Sequence, residues 1–130
     1  MTLFKNLRHL LALSALALTQ LATAAPQPVG APALSLDELK PGQRGEVWTV
    51  FRGTEPEAFS VEVTGVIRNA LGPGKSLIVC ELIDERVQKM GAVAGMSGSP
   101  LYIDGKLAGA LSYQIQRFET VRYAGFTPAA

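Results

Sequence analysis

The chain has 130 residues, enough for one domain, and its 12 Lys and Arg nearly balance its 11 Asp and Glu. With no basic stripe and no charge run, neither a nucleic-acid role nor a membrane-surface patch has electrostatic support. A single cysteine, Cys80, leaves no internal disulfide framework, and with no Cys-x-x-Cys and no histidine beyond His9 neither a metal nor another cofactor is expected.

Residues 1–24 read as a secretory signal. Lys5 and Arg8 supply the basic start, Leu10 to Leu21 an apolar run, and Ala22-Thr23-Ala24 the small-x-small cleavage pattern. Cleavage after Ala24 leaves Ala25 first. The alternative is an uncleaved anchor, but the apolar run is roughly a dozen residues, short of the ~20 that span a bilayer. The expected location is therefore extracytoplasmic, periplasmic or secreted, with no stable membrane insertion after cleavage. Without Lys5 and Arg8 the remainder is slightly acidic.

Residues 25–34, with "PQPVGAP", read as an extended linker, because Pro and Gly oppose both helix and ladder there. The domain proper is expected over 35–130. Ser35 and Glu38 have capping-box spacing, which predicts one helical turn. Pro41-Gly42 predicts a type II turn. The pattern is β from that point. "EVWTVF" (46–51) is rich in β-branched and aromatic residues, and Trp48 is expected in the core. "FSVEVTGVI" (59–67) alternates, with Phe59, Val61 and Val63 on one face and Ser60, Glu62 and Thr64 on the other. Gly65 within that run suggests a bulge or a close backbone approach. "LIVCEL" (77–82) is apolar on both faces, as a central strand is, and Cys80 within it reads as a buried, inert thiol. "DERVQKM" is a loop or a short helical turn. Asp104-Gly105, between "LYI" and "KLAGALSY", is a hairpin signal. "RFETVRY" (117–123) offers a further strand. The fold class is all-β, a barrel or part of one. "GPGKS" has the look of a phosphate loop, but Asn69 stands where that loop needs glycine and no helix follows, so it reads as a hairpin turn.

The chemistry gathers at "GAVAGMSGSPLYIDGKLAGALSY" (91–113). A serine attacks a carbonyl only if something takes its proton and something stabilises the oxyanion. Glycine lets a backbone adopt the shape that second task needs, so Gly95-Met96-Ser97-Gly98 could present the amides of Gly95 and Ser97 into one concavity. The motif is not the α/β-hydrolase elbow, because Ser99 stands where G-x-S-x-G requires glycine.

The run resembles the G-x-S-G-x-P signature of chymotrypsin-like peptidases. More closely, "GMSGSPLYIDGKLAGAL" resembles the SpoIVB peptidase family, in which a G-M-S-G-S-P motif carries the nucleophile. "LKPGQRGEVWTVFRGTEPEAFSVEVTGVI" upstream and "AGFTP" downstream are similar to exported members of that family, so the resemblance covers roughly Leu36 to Pro128. It implies a chymotrypsin-like β-barrel and a serine endopeptidase acting on protein or peptide. Ser97 is the implied catalytic residue, with Gly95 beside it in the oxyanion hole. One departure stands out: the only histidine is His9, inside the signal-like stretch, whereas a triad needs an imidazole between serine and carboxylate. Three explanations stay open. Related sequences continue past "GFTPAA", so an imidazole lies in sequence beyond a C-terminally truncated chain. Or a lysine, Lys89 or Lys106, serves with a lowered pKa. Or the domain is a non-catalytic envelope module that binds protein or peptide. Asp84 stands where a triad acid could sit, although "DER" after a strand usually makes a turn.

Overall fold

The structure is a computed structural model that describes residues 26–90, 95–115 and 122–130. The expected signal over 1–24 and most of "RFETVRY" (117–123) therefore lie outside the described residues. Among the described residues, six strands follow a 3-10 turn at Leu36–Glu38: β1 (Arg44–Val50), β2 (Pro56–Ile67), β3 (Leu77–Leu82), β4 (Pro100–Ile103), β5 (Lys106–Ile115) and β6 (Tyr123–Pro128). One short helix, α1 (Glu85–Met90), connects β3 to the serine loop.

The strands close into an antiparallel barrel in the order β1-β2-β3-β6-β5-β4. The all-β expectation holds, and the driving force is the two-residue periodicity of the strands. Phe59, Val61 and Val63 all face the core, with Val61 fully buried. Glu62, on the opposite face, is half-buried rather than fully exposed and pairs with Arg44 at 3.3 Å. β3 lies between β2 and β6 and buries Leu77, Ile78, Cys80 and Leu82, while Val79 and Glu81 are half-buried, so the run expected to be apolar on both faces has one inner face and one mixed one. The register between β2 and β3 slips between Val63 and Gly65, the bulge expected at that glycine.

The turns follow their chemistry. Ser35 and Glu38 form a complete capping box, around a 3-10 turn rather than an α-helical one. Gln43 N–H donates to the Lys40 carbonyl at 3.3 Å across Pro41-Gly42, with Gly42 at φ 90°, the positive φ a type II turn demands. Asp104 and Gly105 both have positive φ, 50° and 74°, as a type I′ hairpin requires. In the β2–β3 connection, Gly74 N–H donates to Asn69 Oδ1 at 2.8 Å and Lys75 N–H to the Gly72 carbonyl at 3.0 Å. That loop satisfies itself and offers phosphate no cradle.

The stretch expected as a linker is pinned at its far end. Leu34 N–H donates to the Leu107 carbonyl and Leu107 N–H to the Pro32 carbonyl, each at 2.8 Å. Leu34 is buried in the core cluster.

Two expected outcomes follow from this packing. Val63→Asp should unfold the domain, because a buried unpaired carboxylate costs several kcal/mol, about the whole margin of a small domain; chemical denaturation reads it. Cys80 is fully buried, and burial pushes its thiol from 9.0 up to about 12. The folded state therefore holds that proton more tightly than the unfolded chain. Stability should be indifferent to this group below pH 9 and fall as pH rises towards 12. Thermal melts of wild type and Cys80→Ala across that window check the slope, which the variant should lose.

Candidate active site

The site starts from a mismatch of strand lengths. β4 spans only Pro100–Ile103, whereas its neighbours β1 and β5 span Arg44–Val50 and Lys106–Ile115. β1 pairs with β4 only through Glu46–Tyr102 and Val47–Leu101. On the other side, Pro100 pairs with Ala110. Both neighbours are antiparallel to β4, so Trp48–Val50 and Leu111–Ile115 overrun its N-terminal end. The loop Gly95–Ser99 sits in the notch between them.

Four contacts fix that loop. Met96 is buried and belongs to the hydrophobic core, so its side chain anchors the turn from below. Ser99 N–H donates to the Met96 carbonyl at 3.0 Å, closing a turn with Ser97 and Gly98 at its centre. Gly98 N–H donates to the Leu111 carbonyl at 2.7 Å, and Leu111 N–H to the Ser99 carbonyl at 2.9 Å, stitching the loop to β5. Gly98 has φ 87°, a conformation in which a side chain is strained. Met96 points inward and Ser97, the next residue, is exposed. The amides divide accordingly. Those of Gly98 and Ser99 are committed to carbonyls, while among the described residues those of Gly95 and Ser97 meet no acceptor. Ser97 opens on a cleft of about 330 Å³ that it shares with Gly95, Trp48, Val50 and Gln27.

The other sequence candidates lie elsewhere. Asp84 caps α1, accepting from Arg86 N–H at 2.9 Å, and its second oxygen meets the Arg86 guanidinium at 3.0 Å. The hydrogen bond from that guanidinium, outweighing the burial that pushes the other way, holds the Asp84 carboxyl below its ordinary value. "DER" is therefore a helix start with an ion pair. Lys89 pairs with Glu85 at 3.6 Å within α1. Lys106, next to the β4–β5 turn, pairs with Glu38 at 3.2 Å. Trp48 is buried, as expected, yet stands outside the core cluster. It follows Val47, a core residue, so strand alternation turns it outward onto the cleft wall. Sequence reasoning did not single out Met96 or Leu111, the two residues that hold the serine loop. A lone methionine inside a glycine-rich run was the available signal for the first.

Met96→Ala and Ser97→Ala separate anchor from cargo. Emptying the Met96 site should cost about 2–5 kcal/mol, while removing an exposed loop hydroxyl should stay within about 0.5 kcal/mol. Urea denaturation of both variants measures the difference.

The family model described as SpoIVB peptidase S55 matches residues 19–126. No curated protein and no solved structure matches the chain. The match runs from before β1 into β6 and takes in the whole serine loop, so the chain belongs to the SpoIVB peptidase S55 family.

Proposed function

We propose that this is an exported serine-peptidase domain of the SpoIVB type, acting on protein or peptide, with Ser97 in the nucleophile position. The N–H groups of Gly95 and Ser97 serve as its oxyanion donors. The observation that carries this reading is the Ser97 turn itself: anchored by Met96, stitched to Leu111, with the hydroxyl outward and those two amides uncommitted. Donors already aimed at developing charge need no reorganisation during reaction, which is why such cradles contribute much of the rate in acyl transfer.

The proton is the difficulty. Attack by Ser97 Oγ on a carbonyl carbon must deliver the hydroxyl proton to a base, and the only histidine is His9. Lys89 and Lys106 are solvent-facing and held by carboxylates. Neither lines the cleft beside Ser97. Ser97 is therefore built as a nucleophile and idle in the chain as given. The same missing base favours a second reading, a non-catalytic β module of the envelope that binds protein or peptide in the cleft beside Ser97.

A fluorophosphonate probe decides the state of the hydroxyl. The protein should label slowly or not at all, since loss of a triad base removes several orders of magnitude in rate. Rapid stoichiometric labelling that disappears in Ser97→Ala would contradict the idle serine and point to another group as base. Export is checked separately by intact mass of protein recovered from the envelope. The expected first residue is Ala25; a mass that retains residues 10–21 means an anchor.

A further inference from the structure

The serine loop is stitched to the barrel on one side only. Gly98 N–H and the Ser99 carbonyl bond to Leu111 of β5, whereas among the described residues no backbone bond joins the loop to β1. The cleft of about 330 Å³ lies on that open side, lined by Trp48, Thr49 and Val50 from β1 and by Gly95, Ser97 and Gly98 from the loop. None of the residues that line it is charged.

The register decides which backbone groups of β1 face this cleft. Val50 pairs with Pro56 of β2, and proline has no N–H to give. In an antiparallel ladder, a residue that does not exchange bonds with one neighbour turns its N–H and carbonyl towards the other side. The start of the strand agrees: Val63 N–H donates to the Gln43 carbonyl, so odd-numbered residues of β1 face β2 and even-numbered ones face β4. Glu46 meets Tyr102 there, but β4 begins at Pro100 and does not reach Val50. Val50 is exposed, and neither its N–H nor its carbonyl has a partner on that side among the described residues. A donor and an acceptor thus stand side by side at an open strand edge, in the same cleft as Ser97.

Such a pair is matched by the main chain of one extended residue, which offers the same two groups in return. A carboxylate or an ammonium group matches only half of it, and the uncharged lining supplies no counter-charge. We propose that Val50 is a main-chain docking point, at which an extended peptide enters between β1 and the serine loop and exchanges two hydrogen bonds that β4 is too short to make. The peptide is thereby laid beside the Ser97 hydroxyl with its side chains largely unread. This rests on the reading that the cleft takes peptide, which the peptidase and the binding module share. Docking is measured without turnover, so a failure to dock and an unreactive serine are separate results.

In the full chain carrying isotope-labelled valine, acetyl-Ala-Thr-Val-Thr-Ala-amide should shift the Val50 amide resonance saturably and slow its exchange with solvent. Val50→Ala identifies that resonance by deleting it. The same peptide N-methylated at Thr, Val and Thr should bind roughly tenfold more weakly, having lost the donor to the Val50 carbonyl. Trp48, the only tryptophan, lines the same cleft, so its emission follows the titration in variants. Val50→Ala should bind as the wild type does, because the main chain is unchanged, while Val50→Pro should lose roughly tenfold with the N–H. Proline there removes no bond of the β1–β2 ladder, and protection of the buried Cys80 thiol reports that the variant is folded. If that thiol becomes exposed, the N-methylated peptide on the wild type carries the test. An unmoved Val50 amide, equal binding of the N-methylated peptide, or equal loss in Val50→Ala and folded Val50→Pro would overturn the proposal.

Discussion

The barrel closes through a short seam. β1 and β4 share two residue pairs, Glu46–Tyr102 and Val47–Leu101, and the rest of the site depends on their being so few. Gly45 makes the approach possible: a Cβ there would lie 3.0 Å from both the Leu101 Cδ1 and the Tyr102 carbonyl oxygen, tighter than a packed core tolerates. Because β4 starts only at Pro100, the preceding residues have no strand partner on the β1 side and must turn. Met96 in the core and the two bonds to Leu111 set where they turn. The position of Ser97 is thus a consequence of strand length and one buried methionine.

Charge plays a different part in this molecule. The described ion pairs lie at or near the surface, and most bridge neighbouring elements: Arg44 to Glu62, Arg68 to Asp37, Lys106 to Glu38, Arg122 to Glu81. Such exposed pairs contribute little stability individually. None of these paired groups lines the cleft beside Ser97. Asp84 is bound to Arg86 and to the start of α1, and the two lysines nearest the motif in sequence are each matched to a glutamate. The Ser97 loop carries backbone donors and a hydroxyl but no described ionised partner.

Much of this was legible in the sequence because local rules and tertiary structure agree. Alternation placed Val61 and Val63 inside, Asp104-Gly105 gave its hairpin, Gly65 its bulge, and Ser35 with Glu38 its cap. The serine motif pointed to its family, and the family match bears that out. What stayed hidden depends on contacts distant in sequence. Nothing near Met96 says that it reaches the core, since a methionine among glycines fits a loop equally well. Trp48 has the composition of a core residue, and only its phase relative to Val47 turns it outward. Pro26 to Pro32 reads as linker because polyproline makes no ladder, yet Pro32 and Leu34 are bonded to β5 and Leu34 is in the core.

The proposed function requires that Ser97 sit as a nucleophile that lacks a base. Chemical rescue tests it most directly: fluorophosphonate modification of Ser97, followed by intact mass, over a series of imidazole concentrations. The account predicts a rate that climbs with neutral imidazole in the wild type and stays at background in Ser97→Ala. Equal rates in the two proteins at every imidazole concentration would mean that the loop does not present a competent hydroxyl, and would contradict the account.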